Sequence, residues 1–231
     1  MAEAAGGGGP ATVAAAVEVL AKPARRRRKD ARPAELVEAA LALFVERGFA
    51  ATRIDDIAAR AGVGKGTLYL YFDSKEALLE AAVQQKLAPL IGEFSGLLTR
   101  PEPSSNELLR RFVHRWWGLI GHSPLRGLPK LMVAESGNFP ELAGRFVRDV
   151  VARLQDEVLA GLIRRGIARG EYADVHVPYA VRVLSHGLVF MPVWLESMGR
   201  IDRRPFDPDR YLETWLQLSG RALAGPQGEG T

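Results

Sequence analysis

Cysteine is absent from the 231 residues. That gap removes disulfides, thiolate zinc sites and cysteine nucleophiles together. Long apolar runs are missing too. Nothing approaches the roughly 18 consecutive apolar residues of a membrane span, so no membrane partner is expected. The start of the chain does not read as a secretory signal, because the Ala/Val stretch at 11–21 carries Glu18 and no basic residue precedes it. These gaps point to the cytoplasm. Catalytic signatures are equally scarce: there is no H-E-x-x-H, no phosphate loop and no G-x-S-x-G. His114 and His122 can share a helix face but lack a third ligand nearby. Glu135 with His186 is a pairing that any two such residues offer. No catalytic residue, metal site or cofactor is therefore expected, and an all-α enzyme is the weakest functional reading. Strand-like alternation and internal repeats are also lacking.

What is present is helix, with 47% apolar residues and a formal charge of +4. The charge is placed unevenly. Residues 1–32 carry +4, residues 33–86 carry −2 and residues 87–231 carry +2. The basic cluster Arg25–Arg32 follows a Gly/Ala-rich start, and residues 1–32 read as a disordered basic arm. Such a run is either a solvated charge cluster or an arm that lies along phosphates or enters a minor groove. A nonspecific DNA-coating protein driven by this arm is the second functional reading.

Pro33 suits a first helical turn. Leu36, Val37, Ala40, Leu41, Phe44 and Val45 then trace a helical stripe that Gly48 ends. Thr52 to Asp55 has capping-box spacing and opens the next helix. Within Ile54–Phe72, Ile57, Ala58 and Ala61 share one face, and Leu68 and Phe72 repeat the spacing beyond Gly62-Val63-Gly64. Two short helices joined by so few turn residues cross steeply, which is the helix-turn-helix pattern, at about 53–72. Asp73 or Ser74 can cap a fourth helix that Pro89 bends or ends. Further helices are expected from Ser104 or Ser105 to Gly121, Leu125 to Ser136, Glu141 to Arg169, Asp174 to Met198 and Asp209 to Leu223. The expected fold is all-α. A small N-terminal domain of three helices (33–86) precedes a larger helical bundle (87–224) and a flexible tail (225–231).

With Leu68 and Phe72 turned inward, Lys65, Thr67, Tyr69, Leu70 and Tyr71 are left for the outside. Two aromatic rings and a leucine facing water need a reason, and a DNA groove supplies one. Lys65 lies at the helix N-terminus, where free N–H groups favour a phosphate. The Tyr69 hydroxyl can donate to a phosphate or base edge. Thr67 and Leu70 can meet a thymine methyl. Tyr71 and Lys75 flank the backbone. With Arg53 these form the expected DNA-facing set.

Residues 33–80 resemble the DNA-binding domain of the TetR family of bacterial repressors. The resemblance is carried by ALALFVERGFAATRIDDIAARAGVGKGTLYLYFDSKEALL, with Asp56-Ile57-Ala58, Ala61-Gly62-Val63, Gly66-Thr67-Leu68-Tyr69, Phe72 and Ser74-Lys75-Glu76 in the family's pattern. Gly64 stands where Ser or Thr is frequent. Leu70 and Tyr71 stand where an aromatic and a His are frequent. The resemblance implies a homodimer whose third helices enter successive major grooves of a near-palindromic double-stranded operator. It places Thr67, Tyr69, Tyr71 and Lys75 among DNA contacts. It also implies that the C-terminal bundle binds an inducer and forms the dimer. The segment ESGNFPEL (135–142) resembles effector domains of TetR-type regulators of efflux pumps.

Large apolar side chains suggest a small hydrophobic effector as partner, with a packed core as the competing reading. Phe112, Trp116, Met132 and Phe190 are the apolar candidates for effector contact. Glu135 and His186 are the polar ones, because buried polar groups need partners. For the dimer, the last two long helices are the natural choice. Leu184, Leu188 and Leu195 on one, with Leu212, Trp215 and Leu216 on the other, are the expected interface.

Overall fold

The computed structural model describes residues 22–224, and residues 22–32 as backbone only. The described chain is helical, in the order α1 (Lys22–Arg47), α2 (Ile54–Arg60), α3 (Lys65–Tyr69), α4 (Lys75–Leu97), α5 (Ser105–Ile120), α6 (Leu128–Glu135), α7 (Pro140–Phe146), α8 (Ala160–Ala168), α9 (Val177–Glu196) and α10 (Pro208–Ala224). Between α7 and α8 the backbone stays helical but widens into two π-helical stretches, Val147–Val151 and Leu154–Leu159.

The N-terminal unit forms as its apolar spacing requires. Leu36, Val37, Ala40, Leu41 and Phe44 of α1 are buried against α2 and α4. Ile57, Ala58 and Leu68 join the same core. The turn after α2 is a Schellman motif: Val63 N–H donates to Ala58 O at 2.9 Å and Gly62 N–H to Ala59 O at 3.1 Å. Gly62 adopts φ +67°, the left-handed conformation this motif needs. Ser74 caps α4 by accepting from Ala77 N–H at 3.1 Å, and Ser104 caps α5 by accepting from Glu107 N–H at 3.3 Å.

Several boundaries differ from expectation. Residues 22–32 continue α1 rather than forming part of a disordered arm, and Pro33 lies inside that helix. Alanine, arginine and lysine are strong helix formers, which offsets the one donor that proline lacks. Residues 1–21 and 225–231, the rest of the expected arm and the tail, lie outside the described residues. The capping box of α2 is shifted by one position. Asp56 accepts from Arg53 N–H at 3.3 Å, while Thr52 is buried and donates to Gly48 O at 2.7 Å. Pro89 does not end α4, because Leu90, Ile91 and Phe94 continue its buried stripe. Asp174 does not cap α9, which starts at Val177 with Pro178 in its first turn.

α4 runs unbroken from the N-terminal unit into the C-terminal bundle, where α5 and the π stretches pack on it. α9 lies against α6, α8 and α10. Phe94 of α4 meets Phe112 of α5 edge-on at 5.3 Å.

Candidate nucleic-acid interface and effector cavity

α3 is five residues long, and only Leu68 is fully buried. Its outer side continues into the following turn. Tyr69 is 46% exposed, Leu70 79% and Tyr71 36%, while Thr67 is half-buried beside them. Arg53 is exposed at the start of α2. Gly64 precedes α3 as its N-cap without a side chain to bond the helix. Lys65 Nζ pairs with Asp55 at 2.9 Å, and that hydrogen bond raises the ammonium pKa above its ordinary value. The lysine therefore stands charged at the rim of the exposed patch, bridging α3 to α2.

Lys75 is placed elsewhere. Its ammonium donates to Phe49 O at 2.8 Å, Ala50 O at 3.2 Å and Thr52 O at 3.3 Å. It also sits 4.5 Å above the Phe49 ring. The ammonium thus has a structural role beside the expected one of flanking a DNA backbone. The loop between α1 and α2 leaves carbonyls unpaired in regular structure, and this cation gathers three of them.

The same loop touches the bundle. Glu135, at the end of α6 and only 9% exposed, accepts from Ala50 N–H at 3.2 Å and from Asn138 Nδ2 at 3.3 Å. Phe139 packs edge-on against Phe49 at 5.0 Å. Glu135 thus faces the N-terminal unit, not an effector. Its carboxylate was the right group to single out, since a buried charge needs donors, but one of them is a backbone N–H 85 residues away in sequence and the other the neighbouring Asn138 side chain.

Inside the bundle lies an apolar cavity of about 370 Å³. Phe112 and Trp116 of α5, Met132 of α6, Phe146, Val150 and Leu188 contribute to its wall. Three of the expected effector residues, Phe112, Trp116 and Met132, come together here. His186 lines an adjoining cavity, and Phe190 points outward at 62% exposure. Sequence reasoning missed the wall made by the π stretches, including Val151, Leu154 and Gln155. Their apolar spacing was visible but reads equally well as core. A π turn shifts side chains out of α register, and such turns recur beside functional sites.

The expected dimer residues are also re-sorted. Leu184, Leu188, Leu212 and Leu216 are buried within the monomer, and Leu195 and Trp215 are half-buried against the core. The outward apolar residues of these helices are Tyr179, Val183, Val189 and Phe190 on α9 and Leu218 on α10. α9 is apolar on nearly every side, so the face turned inward is set by α6, α8 and α10.

A model for bacterial regulatory proteins of the tetR family matches residues 36–82. The HTH-type transcriptional repressor KstR2 of Mycolicibacterium smegmatis is 36% identical over 207 residues, covering 84% of this chain and 92% of that protein. The chain belongs to the TetR family. A second relative of this TetR protein, the HTH-type transcriptional activator FasR of M. smegmatis, is 27% identical over 196 residues, covering 85% of this chain and 84% of FasR. The fold is shared with FadR of Bacillus subtilis, solved in complex with stearoyl-CoA. That match has a TM-score of 0.68 at 20% identity and covers 82% of this chain and 98% of the other. The TetR family is one of bacterial transcriptional regulators, and no described helix of this member is long and apolar enough to cross a membrane.

Proposed function

We propose that this TetR-family protein is a cytoplasmic repressor that binds a near-palindromic operator as a homodimer and is released by a hydrophobic effector. In this reading residues 33–86 form the DNA-binding domain and residues 87–224 the effector and dimer domain. Arg53, Lys65, Thr67, Tyr69, Leu70 and Tyr71 meet the DNA. Tyr179, Val183, Phe190 and Leu218 supply an apolar face for the second copy. The observation that carries the proposal is the outer side of α3. A leucine and two tyrosines stand together at the surface of a helix too short to need them for its own packing. Exposed apolar clusters of this kind mark binding sites, and their methyl, ring and hydroxyl groups suit a major groove.

The effector half rests on the 370 Å³ cavity, which falls within the range of small-molecule sites, roughly 300–1,000 Å³. A ligand there presses on α6, whose last residue holds the loop that precedes α2. It favours release only by the difference in its affinity for the two arrangements of that junction. The stearoyl-CoA held by FadR of Bacillus subtilis supports a long-chain apolar effector for this cavity.

Fluorescence anisotropy of the full chain on DNA from upstream of its own gene, against scrambled DNA at matched salt, tests this. Tight binding to the first, weakened at least tenfold by Leu70→Ala with Tyr69→Ala, is expected. Equal affinity for both sequences refutes it and favours the nonspecific reading.

A further inference from the structure

The apolar cavity adjoins a second one along the π stretches. The two share Val147, Val151 and Gln155, and the second has a volume of about 420 Å³. The second holds the polar groups: Asp156, Arg164, Arg182 and His186 stand in its wall beside Val177, Pro178 and Val181. Arg182, His186 and Val189 lie four and three residues apart on α9, so they share one flank of that helix. Along this flank the lining changes from guanidinium and imidazole to valine. At the change sits a polar collar, where Gln155 Nε2 donates to Ser185 Oγ at 2.8 Å. Ser185 is otherwise buried among apolar neighbours.

Neither Arg164 nor Arg182 has a carboxylate within salt-bridge distance among the described residues, although other arginines of the bundle are paired. Arg110 reaches Glu213 at 2.7 Å and Arg126 reaches Glu196 at 2.6 Å. Asp156 is the one acid of the polar wall, against two guanidiniums. His186 shares the outward side of α9 with Tyr179, Val183 and Phe190, and Arg182 borders it, so a second copy seated on that side lies alongside the arginine flank.

We propose that the effector is an amphipathic anion. Its apolar chain fills the first cavity, a polar linking group passes the Gln155–Ser185 collar, and a phosphate-bearing head lies in the second cavity against Arg164 and Arg182. This rests on the effector reading above and deepens it. The head is assigned as phosphate-bearing for two reasons. Guanidinium forks match phosphate oxygens in bidentate fashion. The two guanidiniums also outnumber the one acid of that wall, which suits a head of more than one negative charge better than a lone carboxylate. Both arginines are solvent-accessible, so water screens them and each contributes modestly.

The test titrates the full chain with dodecanoyl-CoA, dodecanoate, dodecanol and CoA alone, below micellar concentrations. Quenching of tryptophan fluorescence reports occupancy, since Trp116 lines the apolar cavity. Dodecanoyl-CoA should bind at least tenfold tighter than dodecanol, and more tightly than dodecanoate. In Arg164→Gln/Arg182→Gln that preference should disappear while dodecanol affinity stays unchanged, which also shows that the variant is folded. Equal affinity of dodecanol and the thioester, or a preference that survives in the double variant, overturns the head site and leaves the apolar cavity standing. Dodecanoate as tight as the thioester overturns the phosphate assignment. Failure of all four to bind overturns the head site and the effector reading together.

Discussion

Replacing Lys75 by methionine separates two roles that its position allows. The substitution keeps most of the aliphatic stem and removes the ammonium. In the structure that ammonium serves three carbonyls, at 2.8, 3.2 and 3.3 Å, and the face of Phe49. A hydrogen bond to a charged donor contributes about 1.5–3 kcal/mol, and a half-exposed cation–π contact about 0.5–1 kcal/mol. The three bonds share one charge and the loop can take up water, so the loss should be about 2 kcal/mol rather than their sum. For a chain of this length that lowers Tm by about 4–8 °C at fixed protein concentration. Thermal unfolding gives the stability, and operator affinity measured across a salt series gives the DNA side. A lysine that clamps the loop leaves the slope of log affinity against log salt unchanged. A lysine on a phosphate lowers that slope by about 0.9 per site contacted. Unchanged Tm with a shallower salt slope refutes the structural role and restores the phosphate contact.

Three other outcomes follow from the same geometry. Gly62→Ala places a side chain at φ +67° with no atom within 4 Å of the new Cβ, so the cost is backbone strain alone, about 1 kcal/mol in urea unfolding. Glu135→Ala removes the acceptor for Ala50 N–H. It should destabilise by about 1 kcal/mol and reduce at least about fivefold the loss of operator affinity caused by dodecanoyl-CoA, read by anisotropy. Burial pushes the Glu196 carboxyl pKa up, but Arg126 and Arg200 outweigh it and hold it below the ordinary value of 4.5. Its contribution is therefore present above about pH 4.5 and lost as pH falls through the lowered pKa, and Glu196→Gln should make the acid limb of the stability profile shallower.

The elements themselves were largely legible. Ser74 and Ser104 cap the helices that their positions announce, and the stripe from Leu36 to Phe44 faces the core because 3.6-residue periodicity leaves it no other place. Leu68 is inward and Tyr69 and Leu70 outward for the same reason. Legibility fails where one pattern serves two environments. Phe112, Trp116 and Met132 line a cavity, while Leu184 and Leu212 close a core, and in sequence both sets are apolar residues at helical spacing. On α9 nearly every turn offers two apolar faces, so periodicity cannot choose between Leu184 and Val183. The loop clamp made by Lys75 was not legible because its partners are backbone carbonyls, which carry no residue identity. The π stretches have no compositional mark; they arise where the chain between α7 and α8 wraps the cavity.

α6 is where the two halves of the proposed function meet, and its fit explains how a small displacement can matter. At its N-terminal end Gly127 lies so close to α1 that a Cβ there would come within 2.3 Å of Val45 Cγ1. At its C-terminal end Glu135 holds Ala50, three residues before the N-cap of α2. One turn earlier Met132 forms part of the cavity wall. A helix of eight residues held at both ends against the DNA-binding unit cannot yield to a ligand without moving that unit, because packed interiors transmit displacement instead of absorbing it. The α2–α3 pair is short and carries its groove-facing residues on a rigid Schellman turn, so it moves as a body. In the proposed dimer the two copies of α3 would then change spacing together, and an operator whose grooves are fixed would fit one spacing and not the other.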